Sequence, residues 1–126
     1  MTSSRFPIRF GKLSRVIFRG LLIRPHRCFV EVEDELVSVR MDWCFRARFA
    51  RESIERSELG VQGVILGLGV HGWAGRWLVN GSLDGLVTLQ LSPAQRARVL
   101  GVPVKLRELQ LSLEDPDTLL ARLRAA

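Results

Sequence analysis

The sequence predicts a mainly β (α+β) fold: a small antiparallel barrel of about seven strands with an N-terminal amphipathic helix and a C-terminal capping helix. Short runs of alternating apolar and polar residues follow one another closely, with turn residues between them. No helix of crossover length separates these runs, which excludes a parallel doubly wound sheet. The last alternating run passes directly into a capped helix. A helix in that position can close the open end of a small barrel or of two packed sheets.

The N-terminal region begins with a polar lead-in and a short extended piece, Phe6–Phe10. Residues 12–23 have helical spacing and end at Pro25, which predicts an amphipathic helix of about three turns. Its cations and its apolar residues lie largely on different faces: Lys12, Arg15 and Arg19 against Leu13, Val16, Ile17 and Leu21. Such a helix binds a membrane surface or an acidic partner, or it lies across the domain with its arginines in solvent.

The middle of the chain is predicted to consist of strands. Residues 28–33 and 36–42 alternate around the turn residues Asp34-Glu35 and form a hairpin, and residues 45–49 form a third strand with Arg46 and Arg48 on its outer side. Residues 51–59 are predicted to form either a short strand or a helical turn. Further candidate strands follow at residues 61–68, 76–79 and 86–91.

The last third contains one predicted short helix, one irregularity and a final helix. Ser92 can cap a helix over residues 92–100, which Gly101 and Pro103 would end. The apolar alternation changes phase at Arg107-Glu108, which predicts a bulge or a turn. The final strand stops at Asp115, whose carboxylate can cap a helix over residues 116–124.

Composition bounds the organisation of the chain. Its 126 residues suit one domain, and the net charge of +6 is uneven. Residues 1–27 carry seven cations and no acid, whereas residues 28–126 carry 12 cations and 13 acids. This predicts a basic N-terminal arm, 1–27, attached to a β-barrel domain, 28–126. The apolar runs are too short to span a membrane and no cleavable signal is evident, so we expect a cytoplasmic protein, with membrane-peripheral attachment as an option.

Residues 67–72 match the GxGxxG pattern of dinucleotide sites, but the helix that such a site requires is missing after them. The same region brings together a candidate ligand or partner loop: His71, Trp73, Arg76 and Trp77. A tryptophan beside an arginine can form a cation–π stack or an aromatic platform. Alternatively, the tryptophans fill the core beside the glycines and the histidine is hydrogen-bonded nearby.

Signals for catalysis are weak. Ser82, Asp84 and His71 lack the context of a hydrolase triad, and the acids near residues 31–35 are expected to face solvent. Cys28 and Cys44 lack metal-site spacing and are expected to be buried free thiols. The sequence therefore predicts no enzyme, no metal and no cofactor. It also argues against nucleic acid, because the arginines at 40, 46, 48 and 51 are interleaved with Asp42, Glu52 and Glu55 and because no RNP-like aromatic motif is recognised.

The order of these elements resembles bacterial pleckstrin-homology-like (PH-like) domains. The resemblance covers residues 28–124 and rests on the hairpin at 28–42, the passage from Gly69-Val70-His71-Gly72-Trp73 to Trp77, and the ending at 109–119. It implies a protein-interaction or structural module that binds a protein partner or a second copy of the chain. The phosphoinositide ligands of the fold do not transfer, because Lys12 and Lys105 are the only lysines. The alternative is an anionic membrane surface contacted by the arm through Arg5, Arg9, Lys12, Arg15 and Arg19.

Overall fold

The computed structural model describes residues 3–60 and 69–124, except for the side chains of residues 69, 71 and 73. The protein is mainly β: its strands form a curled, open sheet, a half-barrel, which is followed by a C-terminal helix. The described elements are β1 (Ser4–Pro7), α1 (Lys12–Gly20), β2 (Cys28–Val32), β3 (Leu36–Met41), β4 (Phe45–Ala50), β5 (Ile54–Leu59), β6 (Gly69–Trp73), β7 (Arg76–Asn80), β8 (Leu86–Val99), β9 (Val102–Ser112) and α2 (Pro116–Arg124).

Hydrogen bonds join all nine described strands in the order β1-β2-β3-β4-β8-β9-β7-β6, with β5 paired to β8 outside this path. Every pairing is antiparallel except that of β7 with β9, which is parallel. The predicted antiparallel character is therefore confirmed, as are the hairpin of β2 and β3 and the third strand, β4. The prediction of a barrel is met only in part, because the sheet remains open.

The long strand β8 pairs with two different strands, β5 and β4, along the same edge. Its first half pairs with β5, and its second half pairs with β4 through Phe45–Val99, Arg46–Arg98 and Ala47–Ala97. The helix predicted over residues 92–100 is therefore wrong, because the irregularity between Gln90 and Gln95 contains Pro93 and the chain then resumes pairing with β9. That irregularity lies opposite the phase change predicted at Arg107-Glu108.

The first residues of the chain belong to the same sheet as the rest. Strand β1 pairs with β2, and the following segment reaches the far side through bridges from Ile8 to Leu113 and from Phe10 to Gly81. Phe6, Ile8 and Phe10 are buried in the core. Residues of the predicted arm, 1–27, therefore contribute side chains to the same core as residues of the predicted domain, 28–126.

Helix α1 packs against the sheet through a narrow face. Its only buried residues are Ser14 and Phe18, and the Phe18 ring meets the Phe10 ring edge-on with 5.5 Å between centroids. The wider apolar face, which includes Leu13 and Val16, points into solvent. Phe18 therefore anchors the helix on the sheet, while the other large apolar side chains of the helix remain uncovered.

Helix α2 begins and ends as the sequence predicts. The Thr118 backbone N–H donates to the Asp115 carboxylate at 3.3 Å, and Leu119 and Leu120 are buried against the sheet. The Arg51 guanidinium donates to the Arg122 and Leu123 carbonyls at 2.9 and 3.2 Å and so satisfies acceptors that the helix leaves open at its end.

Candidate functional site: an apolar surface and an arginine face

The exposed hydrophobic side chains are concentrated in one region. Among the described residues ten large apolar side chains are exposed, and eight of them belong to α1 or to the turns beside its end. We call this region the apolar surface: Leu13, Val16, Ile17, Leu21, Leu22, Trp43, Leu100 and Val102. Scattered exposed apolar residues are ordinary, but a concentration of this kind marks an interaction site.

Two hydrogen bonds show that the parts of the apolar surface are contiguous. The Trp43 indole N–H, in the turn between β3 and β4, donates to the Leu21 carbonyl at 3.2 Å. The Leu100 N–H, in the turn between β8 and β9, donates to the Cys44 carbonyl at 2.9 Å. The end of α1 and both turns therefore meet at one end of the sheet.

Basic residues flank the apolar side chains of α1. Within the helix, Lys12, Arg15 and Arg19 are exposed on the side next to Leu13 and Val16. Arg19 and Arg24 also line a shallow cavity of about 550 Å³ beside Leu22. Apolar side chains bordered by cations are typical of helices that lie in the interface of an anionic membrane.

A second surface, the arginine face, lies on the outer side of the sheet, and its arginines belong to β1, β3, β4 and β8. Its members are Arg5, Arg40, Arg46, Arg48, Arg96 and Arg98. The side chains alternate along each strand, so Phe45, Ala47 and Phe49 point into the core while Arg46 and Arg48 point outward. The alternation in β4 is visible in the sequence, but the face is not, because a helix predicted over residues 92–100 would separate Arg96 and Arg98 from β4.

The acids that alternate with these arginines in sequence are elsewhere in space. Asp42 is buried, with its carboxylate held by Arg24 and Arg27. Glu52 and Glu55 lie in the turn before β5 and in β5, away from the groove. Of the residues that the structure describes, Glu31 is the single acid that lines the arginine face, and it pairs with Arg5 at 3.0 Å. The arginines and acids that are interleaved along the sequence are therefore separated from each other in the fold.

A small buried polar cluster holds the turn between β3 and β4 to the segment before β2. The Arg24 N–H donates to the Asp42 carboxylate at 2.9 Å. Burial would raise the pKa of Asp42, but this hydrogen bond and the guanidinium groups of Arg24 and Arg27 hold the pKa below its ordinary value. Burial, reinforced by the Asp42 charge, raises the pKa of the Cys28 thiol to about 12 and also raises the pKa of Cys44.

The predicted ligand loop lies on the hairpin of β6 and β7. Cross-strand pairs place His71 opposite Leu78 and Trp73 opposite Arg76, and the structure does not describe the side chains of His71 and Trp73. The Arg76 guanidinium donates to the Glu108 carboxylate at 2.7 Å. The Trp77 indole N–H donates to the Lys105 carbonyl at 3.2 Å, and the ring packs against the core. Arg76 and Trp77 therefore have structural partners.

The predicted anionic-surface contacts do not form one site. Arg5 lies on the arginine face, stacked over the Phe29 ring at 4.0 Å, whereas Lys12, Arg15 and Arg19 lie on α1. Arg9 follows β1, where its N–H donates to the Ser112 carbonyl at 2.9 Å. The structure thus distributes these cations over the arginine face, α1 and the segment between β1 and α1.

Within residues 3–60 and 69–124, no helix has the length and hydrophobicity to cross a membrane. Over the same residues, no group of three histidine, cysteine or acidic side chains is arranged to hold a metal ion. No protein-family model, no curated protein and no solved structure matches the chain. The two surfaces themselves are therefore the basis for assigning a function.

Proposed function

We propose that the protein is a non-enzymatic binding module that attaches peripherally to anionic membranes through its apolar surface. The observation that carries this proposal is the orientation of α1. Phe18 is 7% exposed and anchors the helix, whereas Leu13 and Val16 are 74% and 69% exposed. A helix that is fixed in place with its hydrophobic side outward is ready to insert without refolding.

Charge supports the choice of an anionic bilayer. Lys12, Arg15 and Arg19 border the inserted side chains and would lie at the level of the lipid headgroups. Each cation near such a surface contributes about 1 kcal/mol of attraction. Trp43, at the end of the apolar surface, is half exposed, and tryptophan is enriched at the headgroup level of membranes. A cytoplasmic, membrane-peripheral location is part of the proposal.

The finer fold assignment, a PH-like domain, is also proposed. A mainly antiparallel curled sheet followed by a C-terminal helix supports it. The resemblance to PH-like domains implies a protein partner or a second copy of the chain, and either would bind through the same apolar surface. We do not extend the proposal to the hairpin at His71, Trp73, Arg76 and Trp77, because Arg76 and Trp77 already have structural partners.

The test is co-sedimentation of the full chain with vesicles of phosphatidylcholine, with and without phosphatidylserine. We expect binding to the anionic vesicles only, weakened by salt. Replacing Leu13, Val16 and Ile17 together by serine removes about 1 kcal/mol of transfer free energy per side chain and lowers the affinity at least 100-fold. The matched control replaces Leu59 and Leu83 by serine, because these are exposed to a similar degree outside the apolar surface.

Point variants are required because truncation would remove core residues such as Phe6 and Ile8. Analytical ultracentrifugation of the same proteins separates the alternatives. Absence of vesicle binding, together with a dimer that the triple serine variant dissociates, would replace the membrane by a second copy of the chain. Equal vesicle binding by the triple variant and the parent protein would refute the use of this surface.

A further inference from the structure

We propose that the arginine face is a second, independent site, which binds single-stranded nucleic acid through its phosphates. The proposal does not depend on membrane attachment, because the two surfaces share no residue. Three observations carry it: the register that aligns the arginines, the lack of neutralising partners and the grooved shape of the face.

The pairing register places arginines directly beside one another on three adjacent strands. Arg40 of β3 is opposite Arg46 of β4, and Arg46 is opposite Arg98 of β8. Neighbouring strands lie about 4.8 Å apart, so the backbones beneath these three charges span about 10 Å. Arg96 continues the pattern, since it is opposite Lys105 of β9. The result is a basic row that crosses the sheet, with further cations on either side.

These charges repel one another, because like charges directly opposite in a sheet are destabilising. Among the described residues, no hydrogen bond or ion pair neutralises Arg46, Arg48 or Arg96. Arg40 and Arg98 donate only to the backbone carbonyls of Asp42 and Gly101, which carry no net charge. A polyanion laid across the row would neutralise charges that the fold leaves uncompensated.

The shape of the face favours a flexible chain over a flat bilayer. The arginines line a shallow groove of about 590 Å³ whose lining residues come from six strands, β1, β2, β3, β4, β8 and β9. A flexible strand of nucleic acid can follow such a groove across the curled sheet. None of the eight residues of the apolar surface lines this groove. Membrane insertion therefore belongs to the apolar surface and polyanion binding to the arginine face.

The side chains present also set the expected specificity. Phe29 is the one aromatic residue lining the groove, and the Arg5 guanidinium covers its ring. Stacking platforms for successive bases, which single-strand-binding proteins use, are therefore not formed by the described residues of this groove. Binding should depend on phosphate charge, tolerate any base sequence and weaken steeply with salt.

The test is fluorescence anisotropy of the full chain with labelled oligothymidylate and oligouridylate over a salt series. Of the six arginines of the face, Arg5 is paired with Glu31 and five remain to contact phosphates. Each contact with a single strand releases about 0.7 counterions, so we expect a slope of about −3.5 for log affinity against log salt. Replacing Arg46, Arg48 and Arg96 by glutamine should lower the affinity about 100-fold at 0.1 M salt and reduce the slope by about 2. Because these substitutions relieve repulsion, the melting temperature of the variant should not fall.

The matched control removes the same charge from α1 by replacing Lys12, Arg15 and Arg19 with glutamine. We expect it to retain oligonucleotide binding and to lose vesicle binding, with the opposite result for the sheet variant. Loss of oligonucleotide binding in both variants to the same extent would refute a specific face, as would no binding by the parent protein. Loss of vesicle binding in the sheet variant, with oligonucleotide binding unchanged, would assign the arginines to the membrane. Tighter binding to duplex DNA would overturn the assignment to single strands.

Discussion

Asp42 connects the turn between β3 and β4 to the segment that leads from α1 into β2, and we expect its substitution by asparagine to destabilise the protein by about 2 kcal/mol. The Arg24 and Arg27 guanidiniums lie 3.5 and 3.6 Å from the carboxylate, and both arginines are partly exposed, so each pair contributes about 0.5 kcal/mol. The hydrogen bond from the Arg24 N–H at 2.9 Å is charge-assisted, and about 1 kcal/mol of its strength is lost when the acceptor becomes a neutral amide. Asparagine keeps the shape of the side chain and tolerates the positive φ of 44° at this position.

The effect of Asp42→Asn should depend on pH, and urea unfolding of both proteins measures it. The pKa of Asp42 in the folded protein lies below its ordinary value of 3.8, so the carboxylate stabilises the fold fully above that pH. The stabilisation is lost as pH falls through the folded pKa, where the wild-type side chain also becomes neutral. The free-energy difference between the two proteins should therefore be full at pH 7 and shrink below pH 3.8. An unchanged difference at low pH, or none at pH 7, would refute this account of the carboxylate.

Three further substitutions or modifications test the packing. Phe18→Ala should lower the free energy of unfolding in urea by about 3 kcal/mol, because Phe18 is buried against Phe10. Val16→Ala, at an exposed position of the same helix, should change it by less than about 0.5 kcal/mol. Equal effects of the two substitutions would contradict the anchoring of α1 through Phe18. Gly81→Ala should cost about 1–3 kcal/mol, because a Cβ there would overlap the Phe10 ring, and a neutral effect would contradict this close approach. In the folded protein the thiolate fraction of Cys28 should be about a thousandfold below that of a free thiol, so iodoacetamide should label it only after unfolding; rapid labelling at pH 8 would disprove its burial.

Local pattern predicted the elements whose signals lie within a few residues of one another. The alternation in β2, β3 and β4 and the Asp115 cap of α2 are examples, because each depends on adjacent side chains. Pairing between distant strands has no such local signal. The second half of β8 resembles a capped helix by its residues, yet its pairing with β4 and β9 determines its conformation.

The candidate surfaces were harder to predict than the elements. The spacing of α1 identified its apolar residues but could not show which face the sheet would cover, since that depends on the position of Phe10. The arginine face could not be predicted from the sequence, where positive and negative charges balance on average. In the fold, strand alternation turns the arginines outward, and the Asp42 carboxylate is buried. Net charge along the chain therefore said little about net charge on a surface.

The contact between the segment after β1 and the end of β9 has a consequence for folding. The Arg9 N–H donates to the Ser112 carbonyl at 2.9 Å, and the Glu114 N–H donates to the Pro7 carbonyl at 3.1 Å. Strand β1 can pair with β2, which is near in sequence, but Ile8 and Phe10 reach their partners Leu113 and Gly81 only across most of the fold. Closing such distant contacts has a large entropic cost, so we expect this edge of the core to form late and folding to be slow.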